Sequence, residues 1–237
     1  MSAIILTPKK IARLLFTEQL KWSIWFLSFM FVIYIGFLIF SGDSIASFID
    51  VVHFSNGSIS IYLFVIGILA MSTFFRYYIN LGATRKNFFL GVIASSMLLT
   101  IAITVIITFL SFVIHFIAGT PSILDMANIR SSNLLDSILT LLQFFISSVM
   151  VYMIYYLMGW MISLTFYRSS WLYGLLSIAA AIVIAGITGF LWEGTHISFF
   201  SHISDLPVLV SILLSLLIIG LLFTINYRLI KDVTVKM

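Results

Sequence analysis

Six stretches of this chain run for at least 21 residues without a Lys, Arg, Asp or Glu: Trp22–Gly42, Val51–Phe75, Asn87–Leu124, Ser137–Tyr167, Ser169–Trp192 and Leu206–Tyr227. A helix rises ~1.5 Å per residue, so about 20 apolar residues cross the ~30 Å of hydrocarbon in a bilayer. Each run is long enough to cross once, and none demands two crossings. The third, with 38 residues, has room for an outer loop as well as a helix. Backbone amides inside lipid must find partners within their own segment, and the period-two alternation of barrel strands is absent. The expected fold is therefore an all-α polytopic membrane protein. It forms a single transmembrane domain over residues 1–237, with spans at about 22–41, 59–80, 91–117, 137–165, 171–192 and 206–227. The first run is no cleaved signal peptide: it exceeds the ~7–15 residues of a secretory apolar core and follows a basic leader.

Composition closes off the soluble alternative. Charged residues make up 8% of the chain, too few for a water-compatible shell around a 62% hydrophobic sequence. Cysteine is absent, which removes disulfides and thiolate metal sites. The net charge of +4 is explained by position along the chain rather than by nucleic acid. If the N-terminus lies inside, eleven of the twelve cations fall in the leader, the second-to-third and fourth-to-fifth connections, and the tail; Arg130 alone lies outside. Asp43, Asp50, Asp125, Asp136, Glu193 and Asp205 fall outside. The positive-inside rule then places both termini on the cytoplasmic side, and an odd number of spans would break the sorting.

No span carries a charge near its middle. Ionisable groups within a membrane mark proton relays, ion sites and voltage sensors, so their absence argues against an ion-driven transporter and an intramembrane aspartyl protease. Other chemistry is missing too. No lysine follows a glycine as a phosphate-binding loop requires, and His-Glu-x-x-His and Gly-x-Ser-x-Gly are absent. Glu193, His196, His202 and Asp205 share one outer loop, but their spacing fits no zinc motif and solvation is their expected role. The chain is not expected to be an enzyme, nor to hold a cofactor or metal.

Two segments at the inner face draw interest. Thr7-Pro8 is a helix start, and residues 7–21 read as an amphipathic interfacial helix with Lys9, Lys10, Arg13, Thr17 and Lys21 on one arc. Ile11, Leu14, Leu15 and Phe16 lie opposite, interrupted by Glu18 and Gln19. A basic anchor on anionic lipid and an elbow touching a cytoplasmic partner are both open readings. Between spans two and three, Gly82 can end one helix in the left-handed conformation and Thr84 can cap the next. Arg85 and Lys86 then sit in a first turn whose dipole disfavours cations, so lipid headgroups or an acidic partner surface should compensate.

Within the spans, Ser96, Thr100, Thr104 and Thr108 form a hydroxyl stripe at i, i+4 spacing. Helix packing is its expected role and lining of a substrate path the competing one. Ser177, Ala181, Ala185 and Gly189 form a small-residue seam in span five, suited to helix packing inside the chain or across a dimer.

The six spans, the inward termini, the amphipathic leader and the turn Gly82-Ala83-Thr84-Arg85-Lys86-Asn87-Phe88-Phe89 together resemble the ABC type 2 permeases. These are the membrane subunits of bacterial ATP-binding-cassette exporters. The small Gram-positive members are nearest, including the phenol-soluble modulin exporter and peptide-immunity transporters; the tail Tyr227-Arg228-Leu229-Ile230-Lys231-Asp232 is similar as well. The topology covers the whole chain, while the turn motif is short. The resemblance implies a plasma-membrane location and two paired permease subunits, each engaging an ATPase subunit that holds the ATP and Mg. It further implies that Arg76, Gly82, Thr84, Arg85, Lys86 and Phe88 lie at the ATPase contact, that the leader assists them, and that span five approaches the dimer axis. The cargo it implies is an amphipathic peptide. Competing expectations are the substrate-capture subunit of an energy-coupling-factor importer and a non-transporting immunity protein.

Overall fold

The computed structural model describes residues 6–41, 51–118, 134–169, 171–192 and 207–231. Six helices among these are long and apolar enough to cross a membrane, and no strand occurs among the described residues. They are α1 (Pro8–Ser41), α2 (Val51–Leu69, extended by a π-helical stretch Ala70–Phe75 and a last α-helical turn Arg76–Asn80), α3 (Arg85–Ala118), α4 (Leu134–Arg168), α5 (Trp171–Leu191) and α6 (Val208–Lys231). The chain is an all-α polytopic membrane protein.

Helix α4 is the hub, packing on α2, α3, α5 and α6, while α1 lies along α3. Its middle explains why. From Val151 to Thr165 every side chain except the half-buried Tyr155 is buried, and a helix apolar on all sides needs neighbours all round. Helix α2 approaches α4 closely. A Cβ on Gly67 would fall on the carbonyl oxygen of Tyr156, and one on Gly159 on the carbonyl oxygen of Phe64. Glycine at both positions lets the backbones meet, as small residues do where membrane helices pack.

The leader and the first span are one rod. Residues 7–21 were expected as a separate interfacial helix, but α1 continues unbroken from Pro8 to Ser41, ~51 Å at the helical rise. No Gly or Pro lies near Lys21 to break it, and a single stripe of Ile11, Leu15, Gln19, Ser23, Leu27, Met30 and Tyr34 faces inward along its length. Leu14, placed by the sequence on the apolar arc, is exposed.

The π-helical stretch in α2 resets the helix phase. The inward stripe Ile59, Leu63, Ile66, Ala70 would reach Thr73 and Tyr77 if it continued at 3.6 residues per turn. Both are exposed, and Met71, Phe74, Phe75 and Tyr78 point inward instead. The wider π turn absorbs one extra residue and brings these side chains onto the core.

Buried polar groups join the helices in pairs. Gln19 donates from Nε2 to Tyr156 Oη at 3.0 Å and accepts at Oε1 from Ser95 Oγ at 3.1 Å. Ser23 donates to the Gln19 carbonyl at 2.8 Å and lies 3.0 Å from Tyr62 Oη. With its own proton used on the carbonyl, Ser23 accepts from Tyr62. One node thus binds α1 to α2, α3 and α4. Elsewhere Tyr152 donates to Asn56 Oδ1 at 2.7 Å, Trp192 Nε1 to Ser215 Oγ at 2.8 Å, and Asn226 Nδ2 to the Leu157 carbonyl at 3.2 Å. Among the described side chains, the buried polar set contains Gln, Ser, Thr and Asn but no acid, lysine, arginine or histidine.

Candidate functional site at the basic end of the bundle

The turn between α2 and α3 is built by its local sequence. Gly82 takes φ 88°, a left-handed conformation that glycine adopts without a Cβ penalty. The Gly82 amide donates to the Ile79 carbonyl at 2.9 Å and the Ala83 amide to the Tyr78 carbonyl at 3.0 Å, the paired bonds of a Schellman stop. Thr84 then caps α3: its Oγ1 accepts from the Asn87 amide at 3.2 Å. Both caps expected from the sequence are present.

Arg85 has a partner that the sequence did not reveal. Its guanidinium donates to the Lys231 carbonyl at 2.7 Å, 146 residues away, at the C-terminus of α6. The cation disfavoured by the start of α3 is thereby placed on the negative end of another helix. This corrects the expectation that lipid or an acidic partner must compensate it. Arg168 repeats the device, donating to the Arg228 carbonyl at 3.1 Å.

Phe88 was also placed at the contact surface, and it does not lie there. It is fully buried, edge-on to Phe75 at 5.2 Å and beside Tyr78 at 6.1 Å. Two residues along a helix turn the side chain by ~200°, so Phe88 faces the core while Lys86 faces out. Phe89 stacks on Trp160 at 5.4 Å and contacts Tyr227 at 5.1 Å, and Asn87 Nδ2 donates to the Leu6 carbonyl at 3.1 Å. The turn is thus keyed to the leader, α2, α4 and α6. Arg76 and Lys86 are exposed beside it, as are Lys9, Lys10 and Arg13 on the leader. These five cations share one end of the bundle with the exposed Arg228 and Lys231, beside a turn tied to the interior by aromatic and hydrogen-bonded anchors. Such a surface carries the charge to attract an anionic group.

The hydroxyl stripe of α3 spends its protons on its own helix. Ser96, Thr100, Thr104 and Thr108 donate to the carbonyls of Ile93, Met97, Thr100 and Thr104 at 2.8–3.0 Å. The first three are fully buried, as helix packing requires; Thr108 edges a groove of about 310 Å³ with Ile138, Leu141 and Phe145. In α5, Ser177 and Ala181 are buried while Ala185 and Gly189 are half-buried. Ala181 and Ala185 face an apolar cavity of about 190 Å³ shared with Phe64, Tyr155 and Met158. The inner half of the seam, Ser177 and Ala181, is packed inside this chain. The outer-loop set Glu193, His196, His202 and Asp205 lies outside the described residues, and no cluster of metal-ligating side chains occurs among those described.

Sequence reasoning missed Gln19, which it took as an interruption of an apolar face. The i+4 spacing from Ile11 through Leu15 to Gln19 and Ser23 was the available signal. The fold and the basic end define a multi-pass membrane protein with an exposed cationic face at one end of its bundle. Comparison with protein-family models, curated proteins and solved structures finds no match.

Proposed function

We propose that this chain is the membrane-spanning permease subunit of an ATP-binding-cassette exporter, moving an amphipathic cargo, a peptide by resemblance, outward across a bacterial plasma membrane. Its termini then lie in the cytoplasm, and a separate ATPase subunit, holding ATP and Mg, docks on the turn after α2. A second permease subunit, identical or related, completes the pathway.

The observation that carries this reading is the turn itself. A Schellman stop at Gly82 and a cap at Thr84 hold a rigid exposed corner whose Arg76 and Lys86 face outward, while Phe88 and Phe89 are sunk into the bundle. A load applied to that corner reaches α4, the hub, through the Phe89–Trp160 stack. The lack of buried acids, lysines, arginines or histidines among the described side chains supports an energy source outside the bundle, because ion-driven carriers need ionisable groups within it.

The test is co-purification of the affinity-tagged chain from its native membrane. A nucleotide-binding protein should accompany it. Arg76→Glu with Lys86→Glu should reduce the recovered partner at least tenfold while the chain's thermal stability stays unchanged. Recovery of no nucleotide-binding protein, or unchanged recovery with the charge-reversed chain, would overturn the reading.

A further inference from the structure

A groove of about 750 Å³ runs between the leader part of α1 and the start of α3, on the outer flank of the bundle. Its lip carries Lys9, Lys10 and Arg13, and its wall carries Leu90, Ala94 and Leu98. The three cations are exposed, and the only ion pair among the described residues joins Lys21 to Glu18 at 2.9 Å, elsewhere on α1. Leu90, Ala94 and Leu98 succeed one another at i, i+4 on one exposed face of α3, spanning ~12 Å along the axis. Asn87, bonded to the Leu6 carbonyl, and Gly91, which leaves room for Ile11, hold the two walls together.

We propose that this groove binds one anionic phospholipid, its phosphate between Lys9, Lys10 and Arg13 and an acyl chain along Leu90, Ala94 and Leu98. Charge complementarity selects the headgroup, since three unpaired cations on one lip attract a phosphate far better than a zwitterion. Length selects its depth. Helices α1 and α3, each 34 residues or ~51 Å long, overreach the ~30 Å hydrocarbon layer, so their basic ends reach the headgroups while Leu98 lies toward the chains. The site does not depend on the export reading; it requires only that the helices cross a bilayer. A bound lipid would fill the gap between the leader and α3 and fix the leader beside the turn.

Native mass spectrometry of the detergent-purified chain with added phosphatidylglycerol or phosphatidylcholine tests this. The expected result is one retained phosphatidylglycerol, preferred at least tenfold over phosphatidylcholine. Retention should fall at least fivefold in K9A/K10A/R13A, persist in K9R/K10R/R13K, and fall in A94W, which fills the groove without altering charge. Thermal melting confirms that each variant is folded; if A94W is not, A94F takes its place. Equal retention of the two lipids, or full retention in the groove-filling variant, would overturn the proposal. So would displacement of the lipid by millimolar inorganic phosphate, which would make the site one for free anions.

Discussion

Gly67 on α2 and Gly159 on α4 sit where the two helices run so close that a Cβ on either would fall on the other's backbone: Gly67 lies over the Tyr156 carbonyl and Gly159 over that of Phe64. The obstruction behind each glycine is backbone, which cannot rotate away. Gly67→Ala and Gly159→Ala should therefore each destabilise the bundle by ~1–3 kcal/mol, the usual cost of overpacking. Gly36 and Gly220 have nothing within 4 Å, so Gly36→Ala and Gly220→Ala should be neutral or slightly stabilising. Thermal unfolding in one detergent compares all four; equal melting temperatures would contradict the close approach.

The Gln19 node makes a different demand. Gln19→Leu removes the partner of both Tyr156 and Ser95 and should cost ~1–3 kcal/mol, because two buried hydroxyls lose their bonds at once. Adding Tyr156→Phe should recover part of the loss, since an absent hydroxyl needs no partner. A double-mutant cycle on thermal stability measures this, and strict additivity would show that the two groups do not interact.

Arg85 and Lys86 are neighbours with separate roles. Arg85→Ala should speed amide hydrogen exchange in the last turn of α6, residues 228–231, by ~3–10-fold, as expected for an exposed charge-assisted bond. Lys86→Ala should leave that turn unchanged and should weaken ATPase recovery instead. If both substitutions acted alike, the Arg85–Lys231 link would have no structural weight.

At the turn, Gly82→Ala forces a Cβ into a left-handed residue at ~1 kcal/mol, whereas Gly82→Asn is better tolerated there. Thr84→Ala should cost a similar ~1 kcal/mol through the lost cap. Both should loosen the corner and reduce partner recovery, with Gly82→Asn near wild type. The order of the three in a pull-down, set beside their melting temperatures, checks the prediction.

These residues also show what sequence could disclose. Six spans were legible because lipid leaves the backbone no partner outside its own helix, so length and apolarity decide the fold. The caps at Gly82 and Thr84 were legible because capping is chemistry between residues a turn apart. Arg85 was half legible: its misfit with the helix dipole could be seen, but its answer lies 146 residues away at Lys231. Phe88 was misplaced because it was grouped with Gly82, Thr84 and Lys86, which are exposed, while its burial depends on Phe75 and on the phase shift in α2. The Gly67–Gly159 crossing could not be read from either helix alone, since it exists only once the two have met.

The central claim is that the bundle draws its energy from a nucleotide-binding subunit docked at its basic end. Proteoliposomes holding the chain and its co-purified ATPase, scored for uptake of a labelled amphipathic peptide into inside-out vesicles, test it most directly. The account predicts uptake that requires ATP and Mg, fails with a non-hydrolysable analogue, and is lost in Arg76→Glu with Lys86→Glu. Uptake driven by a proton or sodium gradient through the chain alone, without nucleotide or second subunit, would contradict it.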